Sequence, residues 1–339
     1  MSKDSGAEQD DPDGEGLTYA ETGVDIEASE SATHALIGAV GEFEGDYAGV
    51  VDIGDQYLAL ATDGVGTKLL VAEAIDDYST IGIDCIAMNV NDLVAQGVEP
   101  VAFVDYLAVE KPDDATAEEI GEGLRVGAGR ADVALVGGET AVMPDVIRGL
   151  DIAGACAGLA PKGALFAGEA EPGDVLVGWP STGIHSNGLT LAREAATHRH
   201  AYTDPFPPDT DRTIADVLLE PTRIYTDLLD PLRTCETHAA AHVTGGGWTN
   251  LARMGGHRYE VTEPFDAQPV FEFIQQEGNV DDEEMHRTFN MGTGFVAAMP
   301  EADAEQIVEE TSDGRVIGTV MSSEASCVSV RDIELEQID

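Results

Sequence analysis

The sequence predicts a two-domain protein of mixed α/β to α+β class, and three observations carry that reading. The chain has 339 residues, beyond the roughly 250–300 at which one core usually stops growing. From Thr18 onward, short apolar runs alternate with stretches of helical spacing. The first series closes near Pro161–Ala170, and a fresh one starts after the turn at Pro172-Gly173. The expected organisation is an acidic disordered tail over 1–16, a first domain over 17–168 and a second over 169–339.

The elements follow in order. Met1 to Gly16 is acidic and nearly free of apolar groups, a solvated tail. Gln56–Thr62 reads as a strand ending at Asp63-Gly64. Between Asp84 and Gln96, residues Ile86, Ala87, Val90, Leu93 and Val94 recur at helical spacing, and Gly97 and Pro100 act as stops. Val101–Ala108 returns as a strand, and Thr116-x-x-Glu119 reads as a capping box opening a helix with Ile120, Leu124 and Ala128 on one face. Val133–Val136 reads as a short buried strand running into Gly137-Gly138-Glu139-Thr140, and Asp151–Ala160 as another. The second half predicts a strand over Asp174–Trp179 and a helix from Asn187 to about His198. Helical segments around Ile214–Leu219 and Arg223–Leu232 come next, then a strand over Ala239–Thr244 ending in Gly245-Gly246-Gly247. Strands near Val316–Met321 and Cys327–Ile333 close the chain, and the Pro-rich Asp204–Asp209 reads as an exposed loop.

Composition narrows the partners. Asp and Glu number 65 against 17 Lys and Arg, a formal net charge of -48, which argues against nucleic acid or an anionic membrane as partner. Hydrophobic residues make up 43%, so this is not an acidic disordered polymer. No apolar run reaches membrane-spanning length and the N-terminus has no apolar signal core; the expected location is the cytoplasm. The only lysines are Lys3, Lys68, Lys111 and Lys162. Such a surface repels itself at ordinary salt, whereas in molar salt the Debye length falls to about 3 Å; the expectation is a halophilic protein. Cys85, Cys156, Cys235 and Cys327 are widely spaced and read as four buried thiols.

Candidate chemistry sits where short strands end in small and acidic residues. In Thr62-Asp63-Gly64-Val65-Gly66-Thr67-Lys68, Asp63 is a candidate Mg²⁺ ligand, the glycines a nest of N–H groups, and Lys68 a point charge for phosphate. The spacing is not that of a P-loop, and an ordinary Gly-rich turn is the alternative. Asp84, Met88 and Asn91 share a helical stripe, with Asp92 beside it; the choice is between a Mg²⁺–nucleotide site and the polar outer face of a surface helix. Glu139 is a third candidate oxygen ligand. His185, in the loop Ser181–Gly188, is a candidate acid or base, against the alternative of a packing residue. Thr244–Asn250 offers a second nest for a substrate phosphate, or simply a tight turn. The remaining histidines, His242 among them, show no metal spacing and receive no ligand role.

Taken together, TYAETGVDI at Thr18–Ile26, TDGVGTK at Thr62–Lys68, GIDCIAMNVNDLVAQGVEP at Gly82–Pro100 and GGETAVMP at Gly137–Pro144 form a more specific set. STGIHSNG at Ser181–Gly188, PTRIY at Pro221–Tyr225, VTGGGWTNLAR at Val243–Arg253 and TFNMGTG at Thr288–Gly294 complete it. In order and spacing these segments closely resemble the phosphoribosylformylglycinamidine cyclo-ligase family, over about residues 17–333. The resemblance implies an N-terminal ATP-binding and dimerisation domain whose strands join a barrel across a homodimer, a C-terminal α+β domain, and a site in the cleft between them. It implies ATP-dependent cyclisation of formylglycinamidine ribonucleotide to aminoimidazole ribonucleotide in purine biosynthesis, with Mg²⁺ and with K⁺ as an optional further cation.

By that resemblance Asp63, Asp92 and Glu139 would hold Mg²⁺. Gly64, Gly66, Thr67, Lys68, Asn91, Gly137, Gly138 and Thr140 would contact ATP; Thr244, Gly245, Gly246 and Asn250 would contact the substrate. His185, Asp63 and Lys68 would be catalytic. Two departures stand out: Ala20 replaces a Lys that many relatives carry, and the Gly-rich stretch before TDGVGTK is reduced to Gly45–Gly49. Another ATP-dependent enzyme of the same superfamily, or a non-catalytic acidic nucleotide-binding relative, are the alternatives.

Overall fold

The structure, a computed structural model, describes residues 16–20, 22–23, 48–323 and 325–336. The acidic tail up to residue 15, the end of the TYAETGVDI segment and Gly45–Tyr47 lie outside the described residues.

The first half builds one five-stranded sheet. Its strands are β1 (Gly49–Asp52), β2 (Gln56–Gly64), β3 (Glu99–Val109), β4 (Ala134–Val142) and β5 (Leu150–Pro161), in the order β1-β2-β5-β3-β4. Only the β3–β4 pair is parallel; the helix α3 (Asp114–Ala131) makes its crossover. Helices α1 (Leu69–Ile75) and α2 (Ile81–Ala95) lie between β2 and β3 in sequence. Small residues let α2 and α3 meet backbone to backbone. A Cβ on Gly82 would stand 2.1 Å from the Leu124 nitrogen, and one on Gly123 2.9 Å from the Ser79 carbonyl oxygen.

Three expectations are corrected here. Helix α2 has no solvent face: every residue from Ile81 to Ala95 except Asp92 is buried, because the sheet, α3 and the second half enclose it. Its polar stripe therefore points into protein. The capping box does not form, since the N-cap of α3 is Asp113, accepting from the Thr116 N–H at 3.0 Å. Glu119 instead accepts the Tyr78 N–H at 2.9 Å. Finally, the short buried strand is a nine-residue edge strand, β4, exposed at all positions but Ala141. GGET lies within that strand and not in a turn after it.

The second half is a seven-stranded sheet of β6 (Val175–Pro180), β9 (Ala239–His242), β10 (Arg258–Val261), β11 (Thr293–Met299), β12 (Arg315–Met321), β13 (Cys327–Val330) and β14 (Ile333–Glu336). The order is β14-β13-β10-β12-β6-β11-β9. Helices α4 (Leu189–Thr197), α5 (Ile214–Leu218), α6 (Leu229–Thr234), α7 (Pro269–Gly278), α8 (Asp282–Thr288) and α9 (Glu301–Glu310) accompany it. Asp204–Asp209 is not a free loop: β7 (Pro205–Phe206) pairs with β8 (Asp209–Thr213), driven by Phe206, which is buried against Phe273. Cys327 is only half-buried, while Cys85, Cys156 and Cys235 are buried thiols.

The two halves share a core. Val94 and Ala95 at the end of α2 pack with Tyr225, Leu228, Leu232 and Phe295. The α2 stripe thus works as an interior contact between halves. No helix among the described residues is long and apolar enough to cross a membrane.

Candidate active site

The site begins at the end of β2. Asp63 is held at its backbone by Asn89 of α2, which accepts the Asp63 N–H at 3.0 Å and donates to its carbonyl at 3.1 Å. The Asp63 carboxylate accepts the Gly64 N–H at 2.7 Å. Burial, and next the charge of Asp92, push its pKa up to about 6, against the pull of the Gly64 N–H, His242 and Arg253. A carboxyl raised this way resists ionisation until positive charge arrives beside it.

Asp92, from α2, lies against His242, from the end of β9, with Oδ1 3.0 Å from Nδ1. The other ring nitrogen, Nε2, is 3.3 Å from the Asn91 amide nitrogen. An amide NH₂ donates only, so Nε2 accepts and Nδ1 carries the proton toward Asp92. This pairing fixes the carboxylate's orientation across the boundary between the halves.

Across the first sheet Asp63, Gly154, Asp105 and Gly138 stand in register on β2, β5, β3 and β4. Asp105 is half-buried and burial raises its pKa. Gly138 makes room for it: a Cβ there would lie 2.4 Å from Asp105 Oδ1. Sequence reasoning omits both Asp105 and His242. Asp105 had a signal, a lone charge inside the apolar strand VAFVDYLA, whereas His242 had only its place before TGGG.

The expected metal set is only partly assembled. Asp63 and Asp92 interact electrostatically, but Glu139 sits on exposed β4, in register with Gly64 three strands away. That separation is roughly 14 Å at the usual strand spacing. Among the described residues no group of three His, Cys, Asp or Glu side chains is placed to hold a metal ion. Gly137 and Thr140 share the exposed strand with Glu139.

Lys68 departs further from expectation. Its side chain is 0% exposed. The ammonium contacts both Asp84 oxygens, at 2.9 and 2.8 Å, and the Glu220 carbonyl at 2.7 Å. Two of its N–H groups donate to Asp84 Oδ1 and the Glu220 carbonyl, and the fully buried ammonium is directed into protein in this arrangement. Asn91 is similarly engaged, donating to the Arg223 carbonyl at 2.8 Å and accepting the Tyr225 N–H at 2.9 Å. Neither faces a ligand here.

His185 is buried, at a left-handed φ of 65°. Its Nε2 accepts the Thr182 N–H at 3.2 Å, and Nδ1 is buried without a partner. Burial, then the neighbouring His242, Lys68 and Arg223, hold the imidazole neutral, well below its ordinary value. A solvent-exchanging acid–base role does not fit this state.

Two turns complete the arrangement. Gly66, at φ 68°, opens a 3₁₀ turn over Gly66–Lys68, and the Thr67 hydroxyl meets that of Thr190 at 2.9 Å. In the second half Thr244, Gly245 and Gly246 lead into a 3₁₀ helix over Gly247–Met254. The Asn250 amide donates to the carbonyls of Gly245 and Gly247 at 3.0 and 2.8 Å, so it braces the turn. A Cβ on Gly245 would lie 3.3 Å from Asn187 Oδ1, and Asn187 contacts Met88 of α2. The loop 181–188 and the TGGG turn therefore meet at α2.

Two linked modules of mixed α and β content, with a carboxylate at the end of β2 facing one from α2, define the class. The family model for the N-terminal domain of AIR synthase related proteins matches residues 45–160, and that for the C-terminal domain matches 171–330. The chain belongs to the AIR synthase related family. It is 49% identical to a protein of Methanococcoides burtonii named phosphoribosylformylglycinamidine cyclo-ligase, over 94% of this chain and 98% of that one. A Pyrococcus furiosus protein of the same name is 44% identical over 90% and 95%. Among solved structures, tt0281 from Thermus thermophilus is 21% identical with a TM-score of 0.65, covering 91% of this chain and 98% of that one. AaThiL complexed with AMPPCP and TMP is 17% identical with a TM-score of 0.63, covering 95% and 99%. These two likenesses concern the fold.

Proposed function

We propose that this protein catalyses ATP-dependent closure of formylglycinamidine ribonucleotide to 5-aminoimidazole ribonucleotide, releasing ADP and phosphate, in purine biosynthesis. The observation that carries the reading is the Asp63–Asp92–His242 cluster between two glycine-rich turns, in a chain 49% identical to a relative bearing the cyclo-ligase name. The nucleotide analogue in AaThiL supports ATP as the phosphoryl donor.

The chemistry explains the architecture. A formyl oxygen leaves poorly from carbon. Transfer of the γ-phosphoryl group of ATP to that oxygen releases ADP and forms an imidate phosphate. The substrate's amidine nitrogen then attacks the same carbon, the C–O bond breaks with its electrons on phosphate, and proton loss completes the imidazole. Attack within one molecule gains from proximity, so the protein's work is orientation and charge neutralisation.

Asp63 and Asp92 fit Mg²⁺, which needs only one or two carboxylates plus phosphate oxygens, and the raised Asp63 pKa supports a cation there. When bound, Mg²⁺ supplies positive charge to the phosphates. Backbone N–H groups at Gly66 and Thr67 receive the ATP phosphates, while the Gly64 N–H stays on the Asp63 carboxylate; those at Gly245 and Gly246 receive the ribonucleotide phosphate. Residues 17–168 form the ATP-binding and dimerisation domain and 169–339 the second. The homodimer reading is supported by an exposed apolar face carrying Leu60, Val104 and Tyr106, 54%, 39% and 45% exposed. The acid excess suits a cytoplasm of high salt.

The test is an assay with formylglycinamidine ribonucleotide, ATP and Mg²⁺ in molar KCl, following ADP and the aminoimidazole. Folded protein that forms neither product would overturn the proposal.

A further inference from the structure

Three residues expected at the ligands, Lys68, Asn91 and His185, converge on one backbone segment. Glu220–Tyr225 is irregular and partly buried, with Thr222 and Tyr225 enclosed. Such backbone must find partners for its polar groups, and here side chains supply them. The Glu220 carbonyl accepts from Lys68 at 2.7 Å and the Pro221 carbonyl from the Thr182 hydroxyl at 2.6 Å. The Thr222 N–H and hydroxyl donate to Asp84 Oδ1, at 2.7 and 2.6 Å. The Arg223 N–H points at His185 Nε2, 3.5 Å away, and Asn91 takes the Arg223 carbonyl and Tyr225 N–H. The Thr222 hydroxyl also meets that of Ser186 at 3.0 Å.

These partners come from three places. Lys68 ends the turn that follows Asp63-Gly64, Asp84 and Asn91 belong to α2, and Thr182, His185 and Ser186 belong to the loop 181–188. The geometry points to Glu220–Tyr225 as a positioning strap that holds the nucleotide turn of the first half in register with the 181–188 loop of the second. Lys68, Asp84, Asn91 and Thr182 are positioning residues acting through it; this rests on the cyclo-ligase reading for what is positioned. A buried ion pair suits the task, because its geometry is specific while its net stabilisation is small.

The strap is outside the phosphate contacts. Loosening it is expected to slow turnover while nucleotide affinity stays near its parent value. Thr182 is exposed, so Thr182→Val removes the bond to Pro221 with little folding risk, and Thr182→Ser restores it. Thr222→Val and Thr222→Ser repeat the comparison at the buried end. For each Val variant kcat is expected to fall about ten-fold with the KM for ATP within about two-fold, and each Ser variant to recover the parent kcat. Parent-like kcat in Thr182→Val, or kcat and ATP affinity falling together by one factor, overturns the strap.

A second readout stands apart from turnover. In the parent protein, hydrogen exchange at the Thr222, Arg223 and Tyr225 amides should slow at least ten-fold when Mg²⁺ and a non-hydrolysable ATP analogue bind. Unchanged exchange with the analogue bound overturns the coupling. Slowed exchange in a parent that forms no aminoimidazole supports the strap and assigns the failure to the cyclo-ligase reading.

Discussion

Asp63 carries opposite demands in the free and loaded protein. Its folded pKa of about 6 lies above the ordinary carboxyl value, so its contribution is present below about pH 4 and is lost as pH rises to about 6. In the metal-free protein Asp63→Asn should therefore raise stability at pH 7, on the order of 1–3 kcal/mol, while abolishing stabilisation by Mg²⁺ and ATP. Denaturant titration at pH 5 and pH 7, with and without Mg²⁺ and ATP, reads both effects; equal nucleotide stabilisation in parent and variant would remove Asp63 from the site. Lys68 makes the contrary case. Lys68→Met leaves Asp84 buried without its ammonium, which costs about 3–5 kcal/mol, so its main signature should be a lowered unfolding midpoint. Residue types were partly legible in the sequence, since Asp63 and Asp92 do come close enough to interact, whereas Gly137 and Gly138 lie on the exposed strand β4. Directions were not: whether the Lys68 amine meets a phosphate or Asp84 depends on contacts 16 and 152 residues away in the chain.

At the scale of elements, α2 is the piece on which both halves rest. Its periodicity and Gly97 stop were readable, and the strands around it fall near their expected positions. Its burial was not, because an apolar seam plus Asp84, Asn89 and Asn91 looks amphipathic until the partners for those polar groups are known. The same limit explains β4. A short apolar run followed by GGET looks like a strand ending in a turn, yet pairing with β3 carries the strand through to Val142. The close approach of α2 and α3 gives a sharp test. Gly82→Ala puts a methyl against the Leu124 and Ile120 backbone; overpacking of this kind typically costs about 1–3 kcal/mol. Gly121→Ala on the open side of α3, where no atom stands within 4 Å of the new methyl, should instead hold or raise the thermal midpoint. Equal midpoints for the two variants would contradict the packing described for α2.

The whole molecule combines a charge of -48 with ligands that are themselves anions. Under the proposed function local groups resolve that conflict: backbone N–H groups at two turns and a carboxylate pair suited to Mg²⁺ would need no basic surface. The charge then bears on solvent, and the thermal midpoint should rise from low salt to molar KCl; an unchanged midpoint would refute the high-salt habitat. The apolar face of the first sheet gives a separate expectation. Tyr106→Asp should shift sedimentation from dimer to monomer, and a parent that sediments as a monomer removes the dimer proposal. The central claim concerns the fate of one atom. With the formyl oxygen of the substrate labelled with ¹⁸O, turnover with ATP and Mg²⁺ in molar KCl should place that oxygen in the released phosphate, one label per ring closed. Label appearing in water, with unlabelled phosphate, would contradict activation of the formyl oxygen by phosphorylation.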